Sequence, residues 1–316
     1  MKHNRKITII ILLMFILAQF IGLFVINSYT TQKIVDGKIV NATGKVMPYG
    51  MGFQENNSST DLTSILISVL FSLIIAISLI FILIKIKAKA VMKTWFFVVS
   101  VLAIGISLTA FLPEIKYASI ISLLIAIPLA VFKIYKRNIV VHNLTELLIY
   151  PGIAAIFVPI LNLTILIVLL ILISAYDMWA VWKSKIMQKI AKYQIEELNV
   201  LGGLFIPYAS KKVKEKINLL KTKFKSKEKL EKEFKKSELK VNLAILGGGD
   251  IAYSILSAGV VLETWGLIPA LITVGGASIA LVGLLVFGRK KTMYPAMPFI
   301  TGGIFLVLLF NWLFII

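Results

Sequence analysis

Cysteine is absent from this 316-residue chain and histidine occurs only as His3 and His142, so neither a disulfide framework nor a Cys/His metal cluster can be built. Charge is also scarce: 16% of residues are charged, against 59% hydrophobic. There is no HExxH pair, no GxSxG elbow and no histidine deep in an apolar run to activate a serine, which removes zinc- and serine-type hydrolysis. The absence of GxxxxGK[ST] removes ATP-driven chemistry by that motif. Nothing in the residue inventory calls for a cofactor or a metal.

What the chain has is apolar length. Runs of about 20 residues recur from Ile7 to the last residue, each sufficient to cross a hydrocarbon core of ~30 Å as a helix. A helix that is apolar on all sides suits lipid, where its backbone bonds are satisfied internally, and suits water badly. The expected fold class is an all-α polytopic membrane protein with nine transmembrane helices. The spans are placed at Ile7–Asn27, Leu62–Ile84, Trp95–Leu112, Tyr117–Phe132, Asn143–Ile160, Leu163–Trp182, Val241–Leu262, Trp265–Phe287 and Pro295–Ile316. The fourth is short and holds Pro128, and only Pro159 and Asn162 separate the fifth from the sixth, so eight and ten spans are the neighbouring counts. The basic tail before Ile7 resembles the start of a signal peptide, but the length of the run and the lack of a small-residue cleavage site indicate an uncleaved anchor.

The 34 basic residues exceed the 15 acidic ones by 19, and thirteen of them are lysines between Lys211 and Lys240. Topology and lipid headgroups account for this excess better than nucleic acid does. Basic residues cluster at the N-terminus, Lys85–Lys93, Lys133–Arg137, Lys183–Lys240 and Arg289–Lys291, that is, at every second connection. The alternate connections around Glu114, Asn162 and Glu263 are short and nearly uncharged. With basic loops inside, the N-terminus is cytoplasmic and the C-terminus outside. The expected organisation is a four-span bundle over 1–142 with an outside loop at 28–61, then a five-span region over 143–316 with a basic cytoplasmic loop at 183–240. That loop opens with a helical continuation from Lys183 to Asn199, passes the apolar patch Leu201–Ala209, and ends in the lysine run, read as solvated and partly helical or disordered.

Only four aspartates exist, Asp36, Asp61, Asp177 and Asp250, and the last two fall inside expected spans. A carboxyl there costs several kcal/mol (~3 by insertion scales) unless it is paired or wetted. At helical rise, Asp177 lies ~9 Å from the inner interface marked by Lys183, and Asp250 at most ~15 Å beyond Lys240. Two carboxyls meeting in a poorly solvated site cannot both ionise easily, so one keeps its proton while the other acts as a base. Such a pair suits acid/base hydrolysis, a buried interhelical carboxyl pair, or a proton relay in an ion channel or proton-coupled transporter.

The surrounding motifs narrow the choice. Tyr176 precedes Asp177; Asp250 closes Gly247-Gly248-Gly249-Asp250, a GxGD; and Pro295-Ala296-Met297 heads the final run. The three together resemble the presenilin and signal-peptide-peptidase family, whose hallmarks are YD, GxGD and PAL in spans six, seven and nine, and most closely its archaeal branch. The resemblance covers about Asn143 to Phe299 and implies an intramembrane aspartyl endopeptidase with Asp177 and Asp250 as catalytic residues. It implies transmembrane-helix or signal-peptide substrates and a multi-pass protein of a prokaryotic, archaeal-type membrane, with lipid and not nucleic acid as its surroundings and no oligomeric state assigned. Methionine at 297 stands where the family has leucine, a swap of similar volume. Prepilin and preflagellin peptidases share the GxGD aspartate, but with fewer spans and no terminal Pro-Ala-Met.

The remaining site residues have two readings each. Gly247 and Gly249 allow close approach of backbone or substrate, or serve close helix packing. Pro295 leaves polar backbone free beside the site, or is a first-turn proline. Tyr176 hydrogen-bonds within the site or packs. The segment Lys240–Leu246, which in the family pairs with substrate as a strand, is either that strand or the first turns of span seven.

Overall fold

In the computed structural model the described residues are 5–30, 32–35, 38–41, 44–51, 62–136, 138–183, 202–208, 242–288 and 294–315. The lysine run, the helical continuation expected to Asn199 and the Arg289–Lys291 cluster lie outside them. The long helices are α1 (Arg5–Tyr29), α2 (Leu62–Lys85), α3 (Lys89–Phe111), α4 (Ala118–Tyr135), α5 (Ile139–Phe157), α6 (Leu163–Met178), α7 (Gly248–Trp265), α8 (Leu267–Phe287) and α9 (Met297–Phe314). A 3-10 turn, Val158–Ile160, follows α5, and a π-helical turn, Trp179–Lys183, continues α6. Among the described residues seven helices are long and apolar enough to cross a membrane: α1, α3, α4, α5 with its 3-10 turn, α6 with its π turn, α8 and α9. Leu13, Ile74, Leu124, Ile279 and Leu306 are each more than half exposed, as lipid-facing residues are. The chain is a multi-pass membrane protein.

Local signals set the boundaries. Asn162 caps α6, accepting from the Ile165 backbone N–H at 2.8 Å, and Asn138 caps α5 by accepting from Val140 and Val141. The Asn162 cap divides the nearly continuous apolar stretch of the fifth and sixth spans, and the Asn138 cap starts α5 just after the basic cluster at Lys133–Arg137, each cap adding about 1 kcal/mol. Gly266 joins α7 directly to α8 at φ 95°, a conformation that other residues seldom adopt, while its N–H closes the last turn of α7 on Val261 and Leu262.

Two small antiparallel sheets interrupt the helical architecture, so the all-α expectation needs correction. Strands β1 (Gln32–Val35) and β2 (Lys38–Asn41) form a hairpin inside the segment read as a loop. Strands β3 (Leu204–Tyr208) and β4 (Asn242–Leu246) pair with Leu204 opposite Leu246 and Tyr208 opposite Asn242. The seventh span therefore does not begin at Val241. Residues 242–246 are extended, Gly247 breaks the strand, and α7 starts at Gly248. The helical rise used to place Asp250 beyond Lys240 is thus the wrong ruler for that stretch. Likewise the patch read as part of a solvated loop supplies β3, with Leu204 and Phe205 buried.

Helix α1 packs against α5, α7 and α8, and α6 packs against both α7 and α9. Helices α8 and α9 approach through glycine: a Cβ on Gly303 would stand 2.7 Å from the Gly276 carbonyl oxygen. Backbone contact of this kind is how membrane helices gain packing energy without a hydrophobic driving force.

Candidate active site

Asp177 sits in the last turn of α6, only 6% exposed. A carboxyl so enclosed needs a donor, and the donor comes from the far end of the chain. The backbone N–H of Met297, first residue of α9, donates to Asp177 Oδ2 at 3.1 Å. The geometry follows from the sequence before it. Pro295 and Ala296 lie outside the helix, so the amide opening α9 has no carbonyl one turn back to bond and remains available to a side chain. The Ala296 backbone N–H also acts on Asp177. One turn deeper, Ser174 Oγ donates to Thr301 Oγ1 at 2.8 Å, tying α6 to α9 a second time. The tyrosine-aspartate and proline-alanine-methionine motifs, 120 positions apart, are thereby brought together.

Asp250 lies in the first turn of α7 and is partly buried. Its side chain turns back toward the helix start, so that a Cβ on Gly247 would stand 2.9 Å from Asp250 Oδ2. Helix α7, which bears Asp250, packs against both α6 and α9, the two helices that hold Asp177.

The three glycines of this motif differ sharply. Gly249 is exposed, and a Cβ there would have no neighbour nearer than Tyr253 at 4.0 Å. Gly248 is the constrained one: its Cβ would collide with the Tyr150 hydroxyl and stand 2.9 Å from Cζ of the same ring. Reading the motif as GxGD treats this middle position as free. The signal that singles it out is Tyr150, whose hydroxyl is buried beside Glu146 and the Gly203 backbone without good hydrogen-bond geometry to either, and which interacts electrostatically with Asp250. Tyr176 is half-buried with its ring tilted against Trp179, centroids 6.3 Å apart, which is packing.

Beneath Asp250, a polar row on α5 meets the sheet. His142, Glu146 and Tyr150 follow at i, i+4 and i+8 on one helix face. His142 Nε2 donates to the Gly203 carbonyl at 2.9 Å, and its ring stacks on Phe205 with centroids 4.3 Å apart. Glu146 accepts from the Gly203 N–H at 3.3 Å and forms a buried ion pair with Lys133 of α4. Asn143, beside the row, donates to the Phe205 carbonyl at 2.8 Å and accepts from the Phe205 N–H at 2.9 Å. His142, one residue ahead of the expected fifth span, is thus part of the support for the strand next to the site.

Comparison with known proteins identifies the fold and the family. No curated protein matches the chain in sequence. Among solved structures, a presenilin-family intramembrane aspartate protease in a C222 crystal form is 18% identical, with a TM-score of 0.58 over 97% of this chain and 98% of that one. The same kind of protein in a P2 form is 17% identical, with a TM-score of 0.56 over 96% of each chain. At such identities the likeness concerns the fold. The family described as signal-peptide peptidase, presenilin aspartyl protease matches residues 34–315, nearly the whole chain and all three motifs, which favours proteolysis over the carrier and prepilin-peptidase readings. The chain therefore belongs to the signal-peptide peptidase and presenilin family of intramembrane aspartyl proteases.

Proposed function

We propose that Asp177 and Asp250 are the catalytic pair of this intramembrane protease, acting on peptide bonds inside transmembrane helices of membrane proteins or signal peptides. The observation that carries the assignment is the Met297 amide on Asp177, because it ties one aspartate to a motif that neither the apolar runs nor the caps require. In the reaction the ionised carboxylate takes a proton from water as the water oxygen bonds to the scissile carbonyl carbon, while the protonated partner donates to the carbonyl oxygen. Breakdown of the resulting diol breaks the C–N bond, a proton passes to the leaving amine, and the pair returns to its starting state with one proton shared.

Tyr176, Gly247, Pro295, Ala296 and Met297 shape the site in this reading, with Gly248 in the role that the GxGD pattern assigns to Gly249, which is exposed and has no close neighbour. Substrate adds as an extended strand to β4, which runs straight into Gly247 and Asp250. An edge strand one residue before the helix that bears the aspartate supports this placement. The nine long helices among the described residues support nine spans. The charge pattern supports a cytoplasmic N-terminus and an outside C-terminus, the presenilin rather than the signal-peptide-peptidase orientation. Residues 143–316 carry the chemistry and 1–142 supply the four-span part of the bundle, in a prokaryotic, archaeal-type cell membrane.

The test is Asp177→Asn and Asp250→Asn in the purified protein with a labelled single-span substrate in detergent. Each change keeps side-chain volume and removes the titratable proton, so each alone abolishes cleavage and the double variant is no worse. Near wild-type cleavage by either single variant would sink the assignment.

A further inference from the structure

In a two-stranded sheet both outer edges are open in principle, and an extended substrate can add to either. Here the two edges differ. Phe205 spends both its backbone groups on Asn143 and Gly203 spends both on His142 and Glu146, so these two residues, at i and i+2, present their N–H and C=O away from β4. The next residue on that side is Pro207, which has no N–H. Side chains of α5 thus stand in for a third strand along β3, and among the described residues the sheet ends openly at β4 alone. The clasp is itself braced, since Glu146 is paired with Lys133 and the His142 ring stacks on Phe205.

We infer that Asn143, His142 and Glu146 are positioning residues for cleavage: by occupying the outer edge of β3 they confine substrate to β4 and fix the register in which its scissile bond meets Asp250. The inference rests on the reading that substrate adds as a strand beside Asp250. Backbone register in a sheet changes in steps of two residues if the faces are to be kept, because a one-residue slip turns every side chain over. Loosening the clasp therefore moves cut sites by two positions and leaves the chemistry of the aspartates intact.

The experiment compares the full-length protein with Asn143→Ala and with His142→Phe, which keeps a ring on Phe205 but loses the bond to Gly203. Cleavage products of one single-span substrate are mapped by mass spectrometry, with KM and kcat measured separately and amide hydrogen exchange followed at Phe205. The expected result for Asn143→Ala is faster exchange at Phe205, KM raised about tenfold, the factor for one or two lost hydrogen bonds, kcat nearly unchanged, and new products displaced by two residues. His142→Phe shows the same pattern more weakly and decides the matter if Asn143→Ala does not fold. Wild-type product positions and KM in a folded variant whose Phe205 amide has lost protection would overturn the inference while leaving the catalytic pair untouched. A fall in kcat alone would overturn it too. Loss of all cleavage in Asp177→Asn and Asp250→Asn, tested in parallel, keeps the two questions apart.

Discussion

Gly248→Ala should damage this protein and Gly249→Ala should not, although the second glycine belongs to the recognised motif and the first is its free position. A methyl at 248 would overlap the Tyr150 oxygen and approach Cζ to 2.9 Å and Cε1 to 3.0 Å. Tyr150 is buried, with only 7% of its surface exposed, so the ring has little room to withdraw. Overpacking at such a site costs about 1–3 kcal/mol. If the strain is relieved by moving the start of α7, Asp250 two residues on moves with it, and a loss of about tenfold or more in kcat/KM follows from the same energy. At 249 the nearest atom is 4.0 Å away, and alanine is the better helix former by about 1 kcal/mol. The measurement is cleavage rate together with thermal midpoint in detergent for both variants and for Gly248→Ala combined with Tyr150→Phe. The double variant removes the oxygen but leaves the ring carbon, so rescue is partial and the coupling between the two positions is favourable. A Gly248→Ala protein as active and stable as the parent, or a more damaging Gly249→Ala, would refute the packing argument.

Two further predictions test membrane placement and substrate handling. A reporter fused after Ile316 reports the outer face and one inserted near Lys225 the cytoplasmic face; a cytoplasmic C-terminus would reverse the proposed orientation. Because a helical substrate must lose its i to i−4 bonds before water reaches the carbonyl, glycine or proline near the scissile bond raises the cleavage rate relative to a leucine-alanine span, and equal rates would argue against unwinding as the slow step.

The membrane class, most helix positions and the two in-span aspartates as candidates were legible in the sequence, because long apolar runs and scarce carboxyls are signals each segment carries by itself; the bond from Met297 to Asp177 was not, since it joins segments 120 positions apart. The sequence does not separate the strand at 242–246 from the first turns of span seven, because a five-residue apolar run adjoining a span has no periodicity that tells strand from helix. Its partner, β3, lies across the basic loop in a segment whose composition suggested solvent exposure. The roles of Gly248 and His142 were invisible for a related reason: each is defined by a residue from another element, Tyr150 for the glycine and Gly203 for the histidine. Tyr176 is the converse case, a residue marked by its neighbour in sequence whose ring contact is ordinary packing against Trp179.

The hold on Asp177 is made by a peptide N–H, and this has an evolutionary side. A side-chain donor can be lost through many single substitutions, whereas an amide at position 297 persists under every replacement except proline. The Met297 side chain is buried, so packing decides which residues fit there, while the bond to Asp177 survives in all of them but proline.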